Sequence, residues 1–417
     1  MALIVVHAPL SVGFGALLPD WVLVIKGWKE LLMVVAAIGL AIMMARSGRA
    51  RELLSDRIVI IALGFSALHI ASLVQWPGWA QALAGLAIDL RYVVYFLLVY
   101  LFVRLVPTYA QKLLYAAGVG AAIVVGFAIL QLFLPPDFLK HLGYGTTTVA
   151  PYQTVDENPD FVRSQSSLRG PNPFAAYMII VLSTLVAYVV RRGRYQRAAL
   201  AGAAVSAILL YLGYSRAALI GGLAAVMLLI YMKYRAWFTP KRLVLSGIGA
   251  VVIGAAFVMV LQTDFGSTVF LHKDPNEAGQ VNSDDKRLES FAIGINRILA
   301  QPFGVGIGST GSASLQGSAP LIIENQYLFI MHEVGWLGFV LFAVLFYMVM
   351  ARLWRERQDW RAAAVFASGI GLAIIGLFLP VWVDDTVSIV WWGLAGILVA
   401  GGMRGGQSTQ QKTARTA

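Results

Sequence analysis

Runs of about 20 apolar residues recur along this chain, the length a helix rising 1.5 Å per residue needs to cross a hydrocarbon layer about 30 Å thick. They fall near residues 2–18, 30–45, 58–75, 84–105, 112–134, 172–190, 196–213, 216–232, 242–262, 333–351, 361–381 and 386–403. Of 417 residues, 59% are hydrophobic and 13% charged, more apolar surface than a soluble domain of this length can hide. The fold class is therefore an all-α polytopic membrane protein with about 12 transmembrane helices. Residues 1–404 read as a single helical bundle. The Gly/Ser/Gln/Thr-rich stretch 405–417 has nothing to bury and reads as a disordered tail.

The net charge of +11 raises the question of nucleic acid. In a membrane protein, excess Lys and Arg first mark the cytoplasmic loops. Sorted by alternate connections, 21 of the 32 Lys and Arg fall on one side, in short loops such as 46–57, 191–197, 233–242 and 352–361. That side is expected to be cytoplasmic, with both termini on it, and no nucleic-acid partner is implied. The first segment lacks the basic start of a secretory signal and reads as a short span. There is no cysteine, which removes disulfides, thiolate metal sites and a Cys nucleophile.

Two long connections, 135–171 and 263–332, then lie outside. Within the second, Leu288, Phe291, Ile295, Ile298 and Leu299 recur at helical spacing with Ala292 on the same face, predicting an amphipathic helix over 286–300 at the membrane surface. It lies between the ninth and tenth spans. The "GVGIG" that follows has no preceding strand and no Lys-Ser/Thr, so it reads as a tight re-entry toward span ten, not as a nucleotide loop. Small-residue runs, "GGLAAV" and "GIGAVVIGAA", indicate close helix packing.

Polar residues collect on the outer side. Arg216, beside Tyr214 and Ser215, opens span eight, where backbone N–H groups, helix dipole and guanidinium make an anion site. An interfacial arginine reaching for lipid headgroups is the plainer alternative. Span six opens with Arg169, then Asn172 as its expected cap and Pro173 at the first helical position. Arg287 opens the amphipathic helix after Asp284 and Asp285. Asp89 and Arg91, two residues apart, do not face each other on a helix and need partners elsewhere, Asp384 and Asp385 being candidates. A structural ion pair is the first reading for these four, and Arg91 is also kept as a candidate substrate contact. His69 reads as an interior histidine. Finally, "ENQYLFIMHEVGWLG" puts Glu324, Asn325, His332 and Glu333 at the mouth of an apolar span, where each costs free energy and asks for a reason.

Four of these motifs, "RGPNPFAAY", "YSRAALIG", the "PFGVGIG" after Arg287 and "ENQYLFIMHEVGWLG", together resemble the O-antigen ligase and O-antigen polymerase superfamily of bacterial integral-membrane glycosyltransferases. Asn325, nine residues, Gly335 and Gly338 match that family's His-Asn, nine residues, Gly-x-x-Gly pattern, with Glu324 in place of the histidine. The resemblance implies a polyprenyl-pyrophosphate-linked glycan donor, a glycan or lipid-linked acceptor, and no metal or cofactor. It implies the bacterial inner membrane with the active site facing the periplasm, and a chain-length regulator as a possible partner. It puts Arg216 and Arg287 at the donor pyrophosphate and Glu324 at the place of the catalytic histidine. Glu324 is then either a base or a charge-balancing partner of the arginines, His332 a second candidate base, and Arg169, Asn325, Tyr214 and Arg91 further substrate contacts. A polymerase is the first expectation and a ligase the second. A transporter needs a long cytoplasmic link between spans six and seven, where 191–197 is short. A peptidoglycan-type transferase needs an external Asp, for which Asp284 or Asp285 is available.

Overall fold

In a computed structural model, the described residues are 2–75, 78–145, 148–155, 158–235, 259, 262–263, 283–318 and 320–401, the side chains of Leu23 and of 283–288 excepted. The expected span 242–262, the "GIGAVVIGAA" run and the tail 405–417 lie almost wholly outside them. The helices in chain order are α1 (His7–Leu17), α2 (Trp28–Ser47), α3 (Arg57–Ala71), α4 (Trp79–Leu105) and α5 (Ala110–Gln131). A two-stranded hairpin follows, β1 (Gln153–Val155) and β2 (Asn158–Arg163), paired antiparallel with Gln153 opposite Arg163. Then come α6 (Pro171–Arg191), α7 (Gln196–Leu212), α8 (Arg216–Tyr234), α9 (Ser283–Ala300), α10 (Gln326–Arg355), α11 (Trp360–Ile375) and α12 (Asp385–Val399).

Seven of the described helices are long and apolar enough to cross a membrane, and four shorter apolar helices, Ala2–Leu17, Gln196–Leu212, Trp360–Ile375 and Asp385–Val399, stand among them. Apart from 242–262, each expected segment coincides with one of these helices. The protein is a mostly helical membrane protein.

The core is a block of aromatic rings contributed by α4, α10 and the start of α12. Trp382, Trp391, Trp392, Tyr92, Phe96 and Phe342 are all essentially buried, and their rings meet edge-on or tilted at centroid distances such as 5.2 Å for Trp391–Trp392 and 5.4 Å for Tyr92–Trp392. α8 packs against α6 and α11. Its "GGLAAV" run permits this: a Cβ on Gly221 would lie 2.5 Å from the Gly371 carbonyl oxygen of α11. Only two glycines let these backbones approach so closely.

One end of the bundle is tied by Asp56, the N-cap of α3. It accepts from the Ile58 N–H (2.9 Å), the Tyr100 hydroxyl (2.8 Å) and Arg352 Nη2 (3.1 Å), joining α3, α4 and α10. The opposite end carries the residues singled out in the sequence. α9 forms as expected but seats by a narrower stripe. Ile298 packs with Ile323, Leu328 and Met331, and Gly294 lets Leu328 come within 3.0 Å of its Cβ position. Phe291, Ile295 and Leu299 face outward.

Candidate active site

α10 begins at Asn325, whose Oδ1 accepts from the Tyr327 and Leu328 N–H groups (2.9 and 3.0 Å) and whose Nδ2 donates to the Leu377 carbonyl (2.8 Å). The amide is thus committed to capping. The Gln326 N–H donates to the Gly376 carbonyl and its Oε1 accepts from the Trp382 N–H, while Tyr327 Oη donates to the Ala373 carbonyl. These bonds fix half-buried Glu324 at the C-terminal end of α11. α9 is stitched to the same place: Ser290 Oγ accepts from the Glu324 N–H and donates to the Ile322 carbonyl, each at 3.1 Å. Arg287 lies three residues before Ser290 in α9. Its side chain is outside the described residues.

Nine residues into α10 the helix breaks. Gly335 has φ 72° and ψ −175°, a backbone that L side chains rarely adopt. The "PFGVGIG" segment fills the gap. The Trp336 N–H donates to the Pro302 carbonyl (3.0 Å), the Val305 N–H to the His332 carbonyl (2.8 Å) and the Gly306 N–H to the Glu333 carbonyl (3.1 Å). Non-helical backbone in an apolar bundle is tolerated when protein satisfies it in this way.

Glu333 completes the lock: its Oε1 accepts from the Gly308 and Thr310 N–H groups (3.0 and 3.2 Å). Its other oxygen faces the Asp89 carboxyl of α4, within hydrogen-bond reach. Both groups are buried, and neither Asp89 oxygen nor the second Glu333 oxygen has a hydrogen-bond donor among the described residues. Asp89 therefore finds Glu333, not the aspartates 384 and 385. His332 is buried with Nδ1 unpartnered among the described residues. His69 is an interior histidine as read, its Nδ1 2.9 Å from the Phe65 carbonyl.

The starts of α6 and α8 lie side by side at this end, because Gly213 packs on Ala175 and the Pro171 carbonyl. Strand β2 clamps the turn that launches α8. Ser164 N–H donates to the Leu212 carbonyl (2.9 Å), Arg163 Nε to the Gly213 carbonyl (3.1 Å) and Arg163 Nη2 to Asn172 Oδ1 (2.6 Å). Tyr214 takes φ +45° in that turn and meets Phe161 edge-on at 6.0 Å. Burial raises the pKa of its phenol, with Tyr211 adding to the effect, so it stays a hydroxyl donor. Arg216 is the exposed first residue of α8. Ser215 is the N-cap as expected, but its side chain makes no capping bond among the described residues. The Asn172 cap is a correction: α6 starts two residues earlier than that cap implies, at Pro171 after Gly170, and Asn172 receives Arg163.

Arg169 is exposed just ahead of α6 and acts electrostatically on a buried charge cluster that joins α1, α2, α4 and α12. Arg91 pairs with Glu30 (3.1 Å) and with Asp385. Asp385 also pairs with Lys29 (3.0 Å) and His7 (3.2 Å), and Trp28 Nε1 donates to His7 Nδ1 (3.0 Å). Asp384 caps α12, accepting from the Val387 N–H at 2.9 Å. Burial raises its pKa, against the pull of that N–H and of Arg169 and Arg91. Arg91 thus meets the aspartate partner the sequence offered, and its guanidinium is engaged there.

One end of the bundle therefore gathers Arg216, Tyr214, Arg169, Glu324 and the backbone position of Arg287, while Asn325 and Arg91 serve the frame. Sequence reading missed Arg163, whose only signal was the alternating "NPDFVR" strand, and the His7–Lys29 contribution from the first helices.

Residues 201–343 match the family model described as O-antigen ligase, which supports the resemblance to the O-antigen ligase and polymerase superfamily. The matched segment contains Tyr214, Arg216, Arg287, Glu324, Asn325, His332 and both glycines of the Gly-x-x-Gly pattern. It leaves out Arg91 and Arg169. Comparison with curated proteins gives no match.

Proposed function

We propose that this chain, of the O-antigen ligase and polymerase superfamily, transfers a glycan from a polyprenyl diphosphate to a sugar hydroxyl on the outer face of the bacterial inner membrane. What supports the reading is that Arg216, Arg169, Glu324 and the Arg287 position lie at the same end of the bundle, opposite the Asp56–Arg352 network. That network's end holds the basic loops, which the positive-inside rule puts in the cytoplasm.

In the reaction the acceptor hydroxyl oxygen bonds to the anomeric carbon and the bond from that carbon to the diphosphate oxygen breaks. The hydroxyl proton passes to Glu324, and charge grows on the departing diphosphate. Arg216 and Arg287 meet that charge, helped by the first-turn N–H groups of α8. Guanidinium suits the task because it stays charged and grips phosphate oxygens with two parallel donors. We assign the Tyr214 hydroxyl and Arg169 to holding the glycan or the second phosphate.

We favour a polymerase, in which the acceptor is a second lipid-linked repeat. The family description, O-antigen ligase, supports the second reading, transfer to a different acceptor. Purified protein given labelled lipid-linked repeats alone separates the two. Longer chains with release of polyprenyl diphosphate support the polymerase, and transfer only after an acceptor is added supports the ligase. No transfer with any acceptor, with the lipid carried across vesicles instead, would overturn both.

A further inference from the structure

A groove of about 630 Å³ runs down the outside of the bundle between α2 and α4. Met33, Ala36, Gly39 and Met43 of α2 form one wall, and Tyr95 and Phe102 of α4 stand in the other. From Lys29 to Met43 is 14 residues, or about 21 Å of helix. The groove is therefore elongated along the helix, a shape that suits an extended hydrocarbon chain. Small residues create the space: a Cβ at Gly39 would meet nothing within 4 Å. Flexible Met33 and Met43 suit a long, irregular apolar occupant.

The groove is not uniform along its length. Its one charged lining residue is Lys29, at the end that carries the candidate site. Lys29 belongs to the buried cluster with Asp385 and feels the field of exposed Arg169. The rim at this end is tied to the site loop. Val5 offers its carbonyl to Ser167 Oγ (2.6 Å), two residues before Arg169, and Ile4 offers its carbonyl to Thr386 Oγ1 (3.4 Å) beside the Asp384 cap. A chain lying in the groove thus ends beside the Lys29–Asp385 cluster and the loop that carries Arg169.

We propose that this groove holds the prenyl chain of the lipid diphosphate donor, so that the diphosphate emerges beside Arg169 at the site. The assignment rests on the functional reading above for the identity of the lipid. It adds a chain-binding site that reads prenyl length and lies outside the segment matched to the O-antigen ligase family.

The test uses the full-length protein in lipid nanodiscs. A polyprenyl diphosphate bearing a diazirine near the middle of its chain should label residues 33–43 and 95–102. Unlabelled polyprenyl diphosphate should compete, and a phospholipid of similar chain length should not. Labelling competed equally by phospholipid, an ordinary bilayer lipid in the groove, overturns the proposal, as does labelling elsewhere. In turnover, KM should fall as the prenyl chain lengthens. Gly39→Phe should raise KM for the full-length donor by about tenfold, the effect of losing burial of roughly two methylene groups, while leaving KM for a farnesyl-linked donor unchanged. Ala36→Leu, which keeps a good helix former, should act in the same direction. Equal chain-length dependence in wild type and both variants overturns the proposal. A wild type that labels in the groove but transfers no glycan from any donor refutes the functional reading and leaves the groove assigned.

Discussion

Glu333 offers a sharp test of why ionisable groups stand in an apolar helix. Replacing it with alanine strips the Gly308 and Thr310 N–H groups of their acceptor and leaves Asp89 facing empty space. Each buried donor left unsatisfied costs about 1–3 kcal/mol, so Glu333→Ala should destabilise by about 2–6 kcal/mol, the low end applying if water enters the vacated volume. Glu333→Gln keeps an oxygen for both N–H groups and presents an N–H to Asp89. Its cost should stay below about 1 kcal/mol, since every hydrogen bond has a counterpart. Thermal unfolding in detergent, followed by tryptophan fluorescence at one scan rate, should show a drop of several degrees for Glu333→Ala and almost none for Glu333→Gln. Hydrogen exchange should report faster opening at Gly308 and Thr310 in the alanine variant alone. If glutamine proves as damaging as alanine, charge matters more than the bonding pattern, and the account of Glu333 as an acceptor for the Gly308 and Thr310 N–H groups is wrong.

Arg163→Ala removes the bonds to the Gly213 carbonyl and Asn172 that hold the start of α8, so kcat/KM should fall about tenfold in a transfer assay, for a loss of one or two charge-assisted bonds. Arg163→Lys, which lacks the fork, should not restore it. Asp56 should make stability acid-sensitive. Burial raises its pKa, but the Ile58 N–H, Tyr100 and Arg352 outweigh burial and hold the carboxyl below its ordinary value of 3.8. A group depressed on folding contributes fully above its unfolded value and loses that contribution as pH falls through the folded one. The melting temperature of wild type should therefore drop more steeply below pH about 4 than that of Asp56→Asn. Gly221→Val drives a side chain into the Gly371 carbonyl, 2.5 Å from the Cβ position, and should lower the melting temperature by pushing α8 off α11.

How much of this was legible in the sequence depends on how local each feature is. The spans are legible because hydrocarbon demands a long apolar run wherever the chain crosses it, and the helices fall where those runs lie. Glycines after Pro302 signal a special backbone, and they turn out to serve the break at Gly335. The sequence could not say that the glycine segment binds the Glu333 carboxylate, because that bond joins residues 25 apart through a fold not yet formed. Asn172 failed as a cap because Pro171 starts the helix two residues earlier than expected and an arginine from β2 claims the amide. His7, Lys29, Arg91 and Asp385 meet across most of the chain's length, and no local spacing announces such a cluster.

The central claim is that guanidinium groups at one end of this bundle neutralise a departing diphosphate. The most direct test is single-turnover glycan transfer from a polyprenyl diphosphate at saturating donor, in EDTA, comparing wild type with Arg216→Ala. Wild type should retain its rate without divalent ions. The variant should be slower by roughly 100–1000-fold, or about 3–4 kcal/mol, as expected for one lost preorganised stabiliser. A variant that transfers as fast as wild type, or a wild type that stops in EDTA and recovers with Mg²⁺, contradicts it.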